Sequence, residues 1–313
     1  MLIFISAIVG GCFGLYYGGD FLLKGATSFG RMLGWSAAVI GFVLVSLGTS
    51  APELFVSAGA AIQGYGDVAA GNVVGSNIVN IAIVLGLGAL IYPLNIQDSI
   101  RIHQLPLMLV MTITGFVFLL DGHIGRLESI TLLAAASLSI WWAMRVDRSS
   151  RIRPDSKETK SELAPEPSIL RSAGYVVAGV LLLVIGAEGL IWGGVGLAAV
   201  FGVPEAVVAL TVTSVGTGLP EITATVLAVA RRDTDMAVGN VVGSNLLNLG
   251  FVLGVSGIIA PIDSSGVSLL PLGVMLGLSL LLAVLAWRPR QIARWVGGTL
   301  LASFAAYTVL LVQ

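Results

Sequence analysis

The stretch at residues 68 to 86 reads VAAGNVVGSNIVNIAIVLG, and it returns 168 residues later, at 236 to 254, as MAVGNVVGSNLLNLGFVLG. Twelve of these nineteen positions are identical. Just upstream, VSLGTSAPE at 45 to 53 returns at the same offset as TSVGTGLPE at 213 to 221, so each copy has a glutamate directly after a proline in an apolar run. An ionisable residue in such sequence is costly to bury and indicates a functional site. The duplicated Pro-Glu pair is therefore the first candidate.

The composition predicts an all-α polytopic membrane protein. Hydrophobic residues make up 56% of the 313 positions and charged residues 11%, which is too apolar for a soluble globule of this length. A transmembrane helix needs about 20 apolar residues. Ten candidate spans meet this requirement, at roughly 2–27, 36–61, 68–91, 104–121, 127–146, 170–197, 204–230, 237–260, 268–286 and 293–312.

The basic residues are distributed unequally between the two sides of the membrane. With ten spans, fifteen of the 16 Lys and Arg residues fall on one side, and Arg126 lies on the other. Because basic loops face the cytoplasm, both termini are expected outside. The expected location is the cell (inner) membrane, as a multi-pass protein.

The duplication extends over the whole chain, since the 168-residue offset also pairs Gly18 with Gly186 and Pro93 with Pro261. We divide the chain into a first five-helix repeat at 1–147, a cytoplasmic linker at 148–168 and a second five-helix repeat at 169–313. An odd number of spans per copy makes the second copy enter the membrane in the opposite sense. Inverted repeats of this kind place the binding site near the membrane midplane, where the repeats meet.

The second span has a polar face interrupted by a helix breaker. Its polar residues recur every three or four positions, which places them on one side of a helix: Ser46, Thr49, Ser50 and Glu53. Pro52 lacks an N–H and conflicts with the carbonyl of Gly48, so a break is expected there. The seventh span repeats the arrangement with Ser214, Gly216, Thr217, Pro220 and Glu221.

The third span contributes amide and hydroxyl groups at steps of four, namely Asn72, Ser76 and Asn80, and the eighth repeats them as Asn240, Ser244 and Asn248. The adjacent glycines are expected to let another helix approach closely: Gly71, Gly75, Gly239 and Gly243. Together with the glutamates these residues predict an all-oxygen site for a hard cation, for which calcium takes about six to eight oxygens. Two carboxylates balance one divalent or two monovalent ions, which suits exchange.

At these motifs, GTSAPE with GSNIVN and GTGLPE with GSNLLN, the chain resembles the sodium/calcium exchangers of the cation/calcium antiporter superfamily. The resemblance implies calcium ligands at Glu53, Glu221, Thr49 and Thr217. It implies sodium ligands at Ser46, Ser50, Glu53, Ser76, Ser214, Thr217, Glu221 and Ser244. Calcium and sodium are then the transported ions, with no cofactor.

Two positions depart from the family pattern. Gly218 stands where the motif usually has serine, which removes one hydroxyl. Asn248 stands where some relatives have aspartate, so that the central polar pair, Asn80 and Asn248, is neutral. The neutral pair argues against a potassium-cotransporting variant.

Two carboxylates near the motifs have different settings in the sequence. Asp20 precedes Lys24 by four residues, which favours an ion pair on the helix surface. Its counterpart in the second copy, Glu188, lacks such a partner.

The prediction is sodium/calcium exchange by alternating access, with the lipid bilayer as surroundings and neither nucleic acid nor an obligate protein partner implied. An intramembrane serine enzyme is excluded because no His or Lys lies in the polar spans to activate a serine. A proton/calcium antiporter remains an alternative, since buried glutamates also bind protons. A gated cation channel is the other alternative.

Overall fold

The structure is a computed structural model that describes residues 1–151, 168–201, 216–287 and 291–312. Within these ranges it contains eleven helices and four two-residue strands. The helices are α1 (Leu2–Met32), α2 (Ala37–Thr49), α3 (Ala51–Ile62), α4 (Gly66–Ile91), α5 (Ile100–Leu119), α6 (Arg126–Arg151), α7 (Ile169–Val200), α8 (Leu219–Ala230), α9 (Thr234–Ile259), α10 (Leu269–Trp287) and α11 (Arg294–Val312). The strands are β1 (Leu94–Asn95), β2 (His123–Ile124), β3 (Ile262–Asp263) and β4 (Gln291–Ile292).

Eight of the described helices are long and apolar enough to cross a membrane: α1, α4, α5, α6, α7, α9, α10 and α11. The helices α2 and α3 form a ninth, bent span. With 12 residues, α8 is too short to cross alone. It is the second half of the predicted span at 204–230, of which residues 204–215 lie outside the described ranges. The protein is therefore an all-helical, multi-pass membrane protein.

The predicted linker at 148–168 is described only at its two ends. The helix α6 continues to Arg151, past the predicted boundary, and α7 begins at Ile169 with Ser168 as its N-cap. Residues 152–167 lie outside the described part of the chain.

The first helices of the two copies pack against each other along most of their length. A Cβ added at Gly11 of α1 would lie 2.7 Å from the carbonyl oxygen of Gly186 in α7, and one added at Gly18 would lie 2.9 Å from that of Gly179. The contacts advance along α1 while they retreat along α7, so the helices are antiparallel. At the offset of 168, Gly179 is the counterpart of Gly11 and Gly186 is the counterpart of Gly18. The contact of Gly11 with Gly186 is therefore equivalent to the contact of Gly18 with Gly179.

The strand pairs are equivalent under the same 168-residue offset. β1 pairs with β4 through Leu94 and Ile292, and β2 pairs with β3 through Ile124 and Ile262. Adding 168 to Leu94 gives Ile262, and adding it to Ile124 gives Ile292. Each copy therefore contributes one strand to each of the two ribbons.

The motif helices lie at the centre of the molecule. In α4 and α9, 78% of the most apolar window is buried, against 17–39% in the other spanning helices. Both helices contain a π-helical segment, at Asn80–Leu85 in α4 and at Asn248–Val252 in α9. A π segment accommodates one extra residue in a helical turn and is frequent at functional sites.

The break between α2 and α3 lies at Ser50, between the predicted helix breakers Gly48 and Pro52, and the two helices meet at 45°. Pro52 is the second residue of α3, where its missing N–H costs little because the N–H groups of the first turn have no acceptor within the helix. Gly48 remains in α2, and a Cβ there would lie 3.0 Å from Leu22 of α1. In the second copy, Pro220 is likewise the second residue of α8.

Candidate functional site

The two motif glutamates occupy equivalent places at the starts of the two half-helices. Glu53 is the third residue of α3 and Glu221 the third of α8, and each is 1% exposed. The first turn of a helix carries partial positive charge from its free N–H groups, which stabilises a carboxylate there. Ser50, three residues before Glu53, contacts the Glu221 carboxylate, so the two half-helix starts lie side by side. The fold thus brings together two acidic groups that are 168 residues apart.

The carboxylate oxygens are only partly satisfied by the protein. Ser50 Oγ donates a hydrogen bond of 3.3 Å to Glu221 Oε1. Among the described residues, Glu221 Oε2 and both oxygens of Glu53 have no hydrogen-bond partner. Because a buried charge without a partner is strongly unfavourable, these oxygens favour a cation between them.

Hydroxyl groups of α2 reach across to the second copy. Thr49 Oγ1 lies 3.4 Å from Asn240 Oδ1 and 3.3 Å from the carbonyl oxygen of Ser46. Ser46 Oγ in turn donates to the carbonyl oxygen of Phe42 at 2.5 Å. Ser46 and Thr49 are fully buried. The site is therefore built from both copies rather than within one.

Two asparagines fix the half-helices that carry the glutamates. In the first copy, Asn72 Nδ2 donates to Ser57 Oγ at 2.9 Å and to the backbone carbonyl of Glu53 at 3.3 Å. In the second copy, Asn240 Nδ2 donates to Thr225 Oγ1 at 3.1 Å. Ser57 and Thr225 are not among the residues that the sequence predicts. Their signal was present, since both are hydroxyl residues four positions after a motif glutamate.

The central polar pair is buried in the middle of α4 and α9. Asn80 is 1% exposed and Asn248 fully buried, and each begins a π-helical segment. In the described part of the chain, Asn80 Nδ2, both polar side-chain atoms of Asn248 and the Ser244 hydroxyl have no hydrogen-bond partner. Asn248 Oδ1 and Ser244 Oγ remain available to a cation or to water, and the two amide NH2 groups remain available to water.

A cavity of about 600 Å³ runs along the first copy's motif helix. Its polar lining among the described residues includes Asn72, Ser76, Glu188 and Thr217, and it lies between α3, α4, α7 and α11. Gly66, the first residue of α4, packs on β3. The cavity follows the N-terminal half of α4 and therefore lies toward the end of the molecule that carries β2 and β3. We call this the β2–β3 end, and the opposite end, which carries β1 and β4, the β1–β4 end.

The two copies differ in how their motif glycines are packed. Gly239 and Gly243 are buried, and a Cβ on either would meet the backbone of α2, as predicted. Gly71 is exposed and Gly75 half-buried beside the cavity, and no described atom lies within 4 Å of a Cβ added there. The predicted close approach is therefore absent from the first copy among the described residues, because the cavity occupies that side of α4.

The remaining predicted residues lie in the segment that leads into α8. Thr217 borders the cavity, and Gly218 is the buried N-cap of α8. Gly216 is buried, and a Cβ there would meet Ile191 of α7. Ser214 lies outside the described residues.

The candidate metal ligands are oxygen atoms of two carboxylates, hydroxyl groups and side-chain amides. No group of three or more His, Cys, Asp or Glu side chains suited to a metal ion occurs in the described ranges. An all-oxygen set with two charges fits a hard cation that binds reversibly rather than a soft, permanently bound metal.

A multi-pass membrane protein with such a cation site, reached from a cavity, has the characteristics of an ion transporter. The chain belongs to the sodium/calcium exchanger protein family, whose model matches it twice, at residues 3–145 and 171–313. It is a cation/calcium antiporter and not an enzyme, with calcium and sodium as the transported ions and no cofactor needed.

Similar proteins cover nearly the whole chain. The putative antiporter CaxA of Alkalimonas amylolytica is 34% identical over 99% of both chains. The sodium/calcium exchanger MaX1 of Methanosarcina acetivorans is 30% identical over 95% of both. A solved structure of the sodium-calcium exchanger NCX_Mj, soaked with zero Na⁺ and Ca²⁺, superposes with a TM-score of 0.82 at 27% identity and covers 99% of this chain and 97% of its own.

Proposed function

We propose that this protein exchanges sodium for calcium across the inner membrane of the cell by alternating access. The observation that carries the proposal is the pair of buried half-helix glutamates, Glu53 and Glu221, with three carboxylate oxygens that no described group satisfies. An ion that neutralises these charges is required before the site can close. Calcium or a pair of sodium ions meets that requirement equally well, which couples the two fluxes.

We assign the ligands as the family resemblance implies. Calcium binds the carboxylates of Glu53 and Glu221 with the backbone carbonyls of Thr49 and Thr217. Sodium shares the carboxylates and uses hydroxyl and carbonyl oxygens of the neighbouring motif residues Ser46, Ser50, Ser76, Ser214, Thr217 and Ser244. The burial of Ser46, Ser50 and Ser76 beside this centre supports the assignment.

Ten spans in two inverted repeats, 1–147 and 169–313, joined by a linker at 148–168, are the architecture that we propose. The antiparallel packing of the equivalent helices α1 and α7 supports it, because two copies inserted in the same sense would place these helices parallel. The two ribbons support it as well, because each pairs one strand of the first copy with one strand of the second.

Charge distribution assigns the two ends of the molecule to the two sides of the membrane. Arg101 and Arg294 lie next to β1 and β4, whereas Arg126 follows β2. By the positive-inside rule, the β1–β4 end is cytoplasmic and the β2–β3 end external. The cavity then opens outward, and this conformation is the one that takes ions from outside.

The experiment is calcium uptake into everted membrane vesicles loaded with sodium. We expect uptake to collapse when the sodium gradient is dissipated and to persist when a protonophore removes the proton gradient. The opposite pattern would make the protein a proton/calcium antiporter. Uptake that needs neither gradient, and that follows calcium alone, would make it a channel.

The matched control for this assay is the double variant Glu53→Gln with Glu221→Gln. It keeps the size of both side chains and removes both charges. Uptake that survives in the double variant would show that the measured flux does not pass through this site.

A further inference from the structure

The cavity contains a carboxylate that the exchange site does not use. Glu188 is the twentieth of the 32 residues of α7, a few residues from the middle of a spanning helix, and it is exposed. A charged side chain at this depth is costly unless it faces water or a partner. Glu188 lines the cavity, so its carboxylate has access to water within the span.

The equivalent carboxylate of the first copy is neutralised. Asp20, 168 residues earlier, pairs with Lys24 Nζ at 2.7 Å and with the guanidinium of Arg231 at the end of α8. The positions equivalent to Lys24 and Arg231 in the other copy are Trp192 and Gln63, which carry no charge. Among the described residues, no basic side chain pairs with Glu188.

The same cavity reaches the exchange site. Ser76 and Thr217, which border it together with Glu188, are among the ion ligands assigned above, and Thr217 belongs to the motif that carries Glu221. An ion that enters through the cavity therefore meets Glu188 in the same space as two of the assigned ligands. A cleft with one sign of charge and low-dielectric walls concentrates the opposite charge and increases the rate of association.

We propose that Glu188 is a recruitment site at which a hydrated calcium or sodium ion is held by the carboxylate before it moves to Glu53 and Glu221. The inference rests on the proposed exchange function and deepens it. It makes the two openings of the transport path unequal, because the external one has a free negative charge and the cytoplasmic one has an ion pair at Asp20.

The test is the calcium dependence of exchange in right-side-out vesicles, in which the external cavity faces the bath. We expect Glu188→Gln to raise the KM for bath calcium about tenfold, the lower end of such steering effects, with a maximal rate within about twofold of wild type. The increase should shrink when the ionic strength is raised with choline chloride, because salt screens an exposed charge. In everted vesicles the KM should stay unchanged.

Two control variants separate recruitment from other effects. Glu128→Gln removes a carboxylate at the same end of the molecule but away from the cavity lining, and it should leave the KM unchanged. Glu188→Asp keeps the charge and should retain most of the affinity.

Three results would overturn the inference. An unchanged KM in Glu188→Gln would contradict it while leaving the exchange function intact, provided that wild-type vesicles exchange. A loss of maximal rate without a change in KM would indicate a structural role for Glu188. If wild-type vesicles show no exchange, the proposed function itself fails, and the inference fails with it.

Discussion

Ser50 and Gly218 occupy equivalent positions, three residues before a motif glutamate, and their backbones have nearly the same conformation. The dihedral angles are φ −80° and ψ 8° at Ser50, and φ −82° and ψ 3° at Gly218. Gly218 is thus not required by the backbone, since any L-residue adopts this conformation. Ser50 donates to Glu221, whereas no described group donates to Glu53. The lack of a hydroxyl at Gly218 therefore corresponds to the lack of a hydrogen bond to Glu53.

We predict that Gly218→Ser lowers the sodium concentration for half-maximal exchange about threefold. A serine there has the backbone geometry of Ser50 and supplies Glu53 and its ion with a hydroxyl, and a typical net hydrogen-bond contribution of about 0.6 kcal/mol corresponds to that factor. The measurement is sodium-dependent calcium flux in proteoliposomes. Gly218→Ala is the control, because it adds the Cβ without the hydroxyl. Equal behaviour of the two variants would show that the hydroxyl has no role.

We predict that Glu53→Gln and Glu221→Gln each reduce calcium exchange about a hundredfold. Each change removes one of two charges that balance a divalent ion in a buried site, and an unbalanced ion there costs about 3 kcal/mol or more. Radiolabelled calcium uptake in proteoliposomes measures the loss. Glu128→Gln, in the first turn of α6 and outside the cavity lining, should transport normally. Near-normal uptake in either buried variant would remove that glutamate from the ligand set.

The sequence predicts these residues well but not their contacts. The identities and equivalence of Glu53 and Glu221 follow from the duplication, and their burial follows from the apolar sequence around them. The contact of Ser50 with Glu221 joins residues 171 positions apart, and it depends on how α2 packs on the second copy. That packing is a tertiary property that no local pattern specifies.

At the scale of helices, the packing of α2 on α9 depends on glycine. A Cβ added at Gly239 would meet the carbonyl of Ala38, and one at Gly243 would meet the carbonyl of Phe42. Backbone atoms cannot turn aside as a flexible side chain can, so any side chain at these glycines forces the helices apart. This close approach also brings Thr49 within reach of Asn240.

We predict that Gly239→Ala destabilises the protein by about 1–3 kcal/mol, the usual cost of overpacking. The equivalent change in the first copy, Gly71→Ala, is the matched control. Gly71 is exposed and has no described neighbour within 4 Å of the added Cβ, so its variant should unfold at the wild-type temperature. Thermal unfolding in detergent, followed by loss of the monodisperse peak, compares them. Equal destabilisation would mean that both glycines are packed in solution.

Helix bounds illustrate where pattern reading succeeds and where it fails. The apolar windows predict spans close to those of α4, α5 and α10, because length and hydropathy decide what crosses a bilayer. The π-helical segments at Asn80 and Asn248 have no such signature, since one extra residue in a turn is stabilised by the surrounding helices. The break at Ser50 lies between the predicted breakers Gly48 and Pro52, and its exact place follows from the fit of proline into the first turn of the next helix.

At the scale of the molecule, equivalent residues have unequal surroundings. Val68 at the start of α4 is 54% exposed beside the cavity, whereas its counterpart Met236 in α9 is 3% exposed. The helix pair α1 and α7, in contrast, makes equivalent contacts in both directions. We expect a symmetric frame that holds an asymmetric centre to have a second state of comparable energy, in which the two copies exchange roles. Alternating access needs two such states.

We predict that Val68→Cys and Met236→Cys respond in opposite ways to the transported ions. In a Cys12→Ala background, Val68→Cys should react rapidly with a membrane-impermeant maleimide in right-side-out vesicles, and Met236→Cys should be protected. During exchange, labelling at position 68 should slow, and labelling at position 236 should begin in everted vesicles, because the cavity closes on one side as it opens on the other. The control is Ala60→Cys, a position 7% exposed in α3 and outside the cavity lining, which should stay protected throughout. Labelling of positions 68 and 236 from the same side of the membrane would contradict both the inverted arrangement and the exchange of roles between the copies.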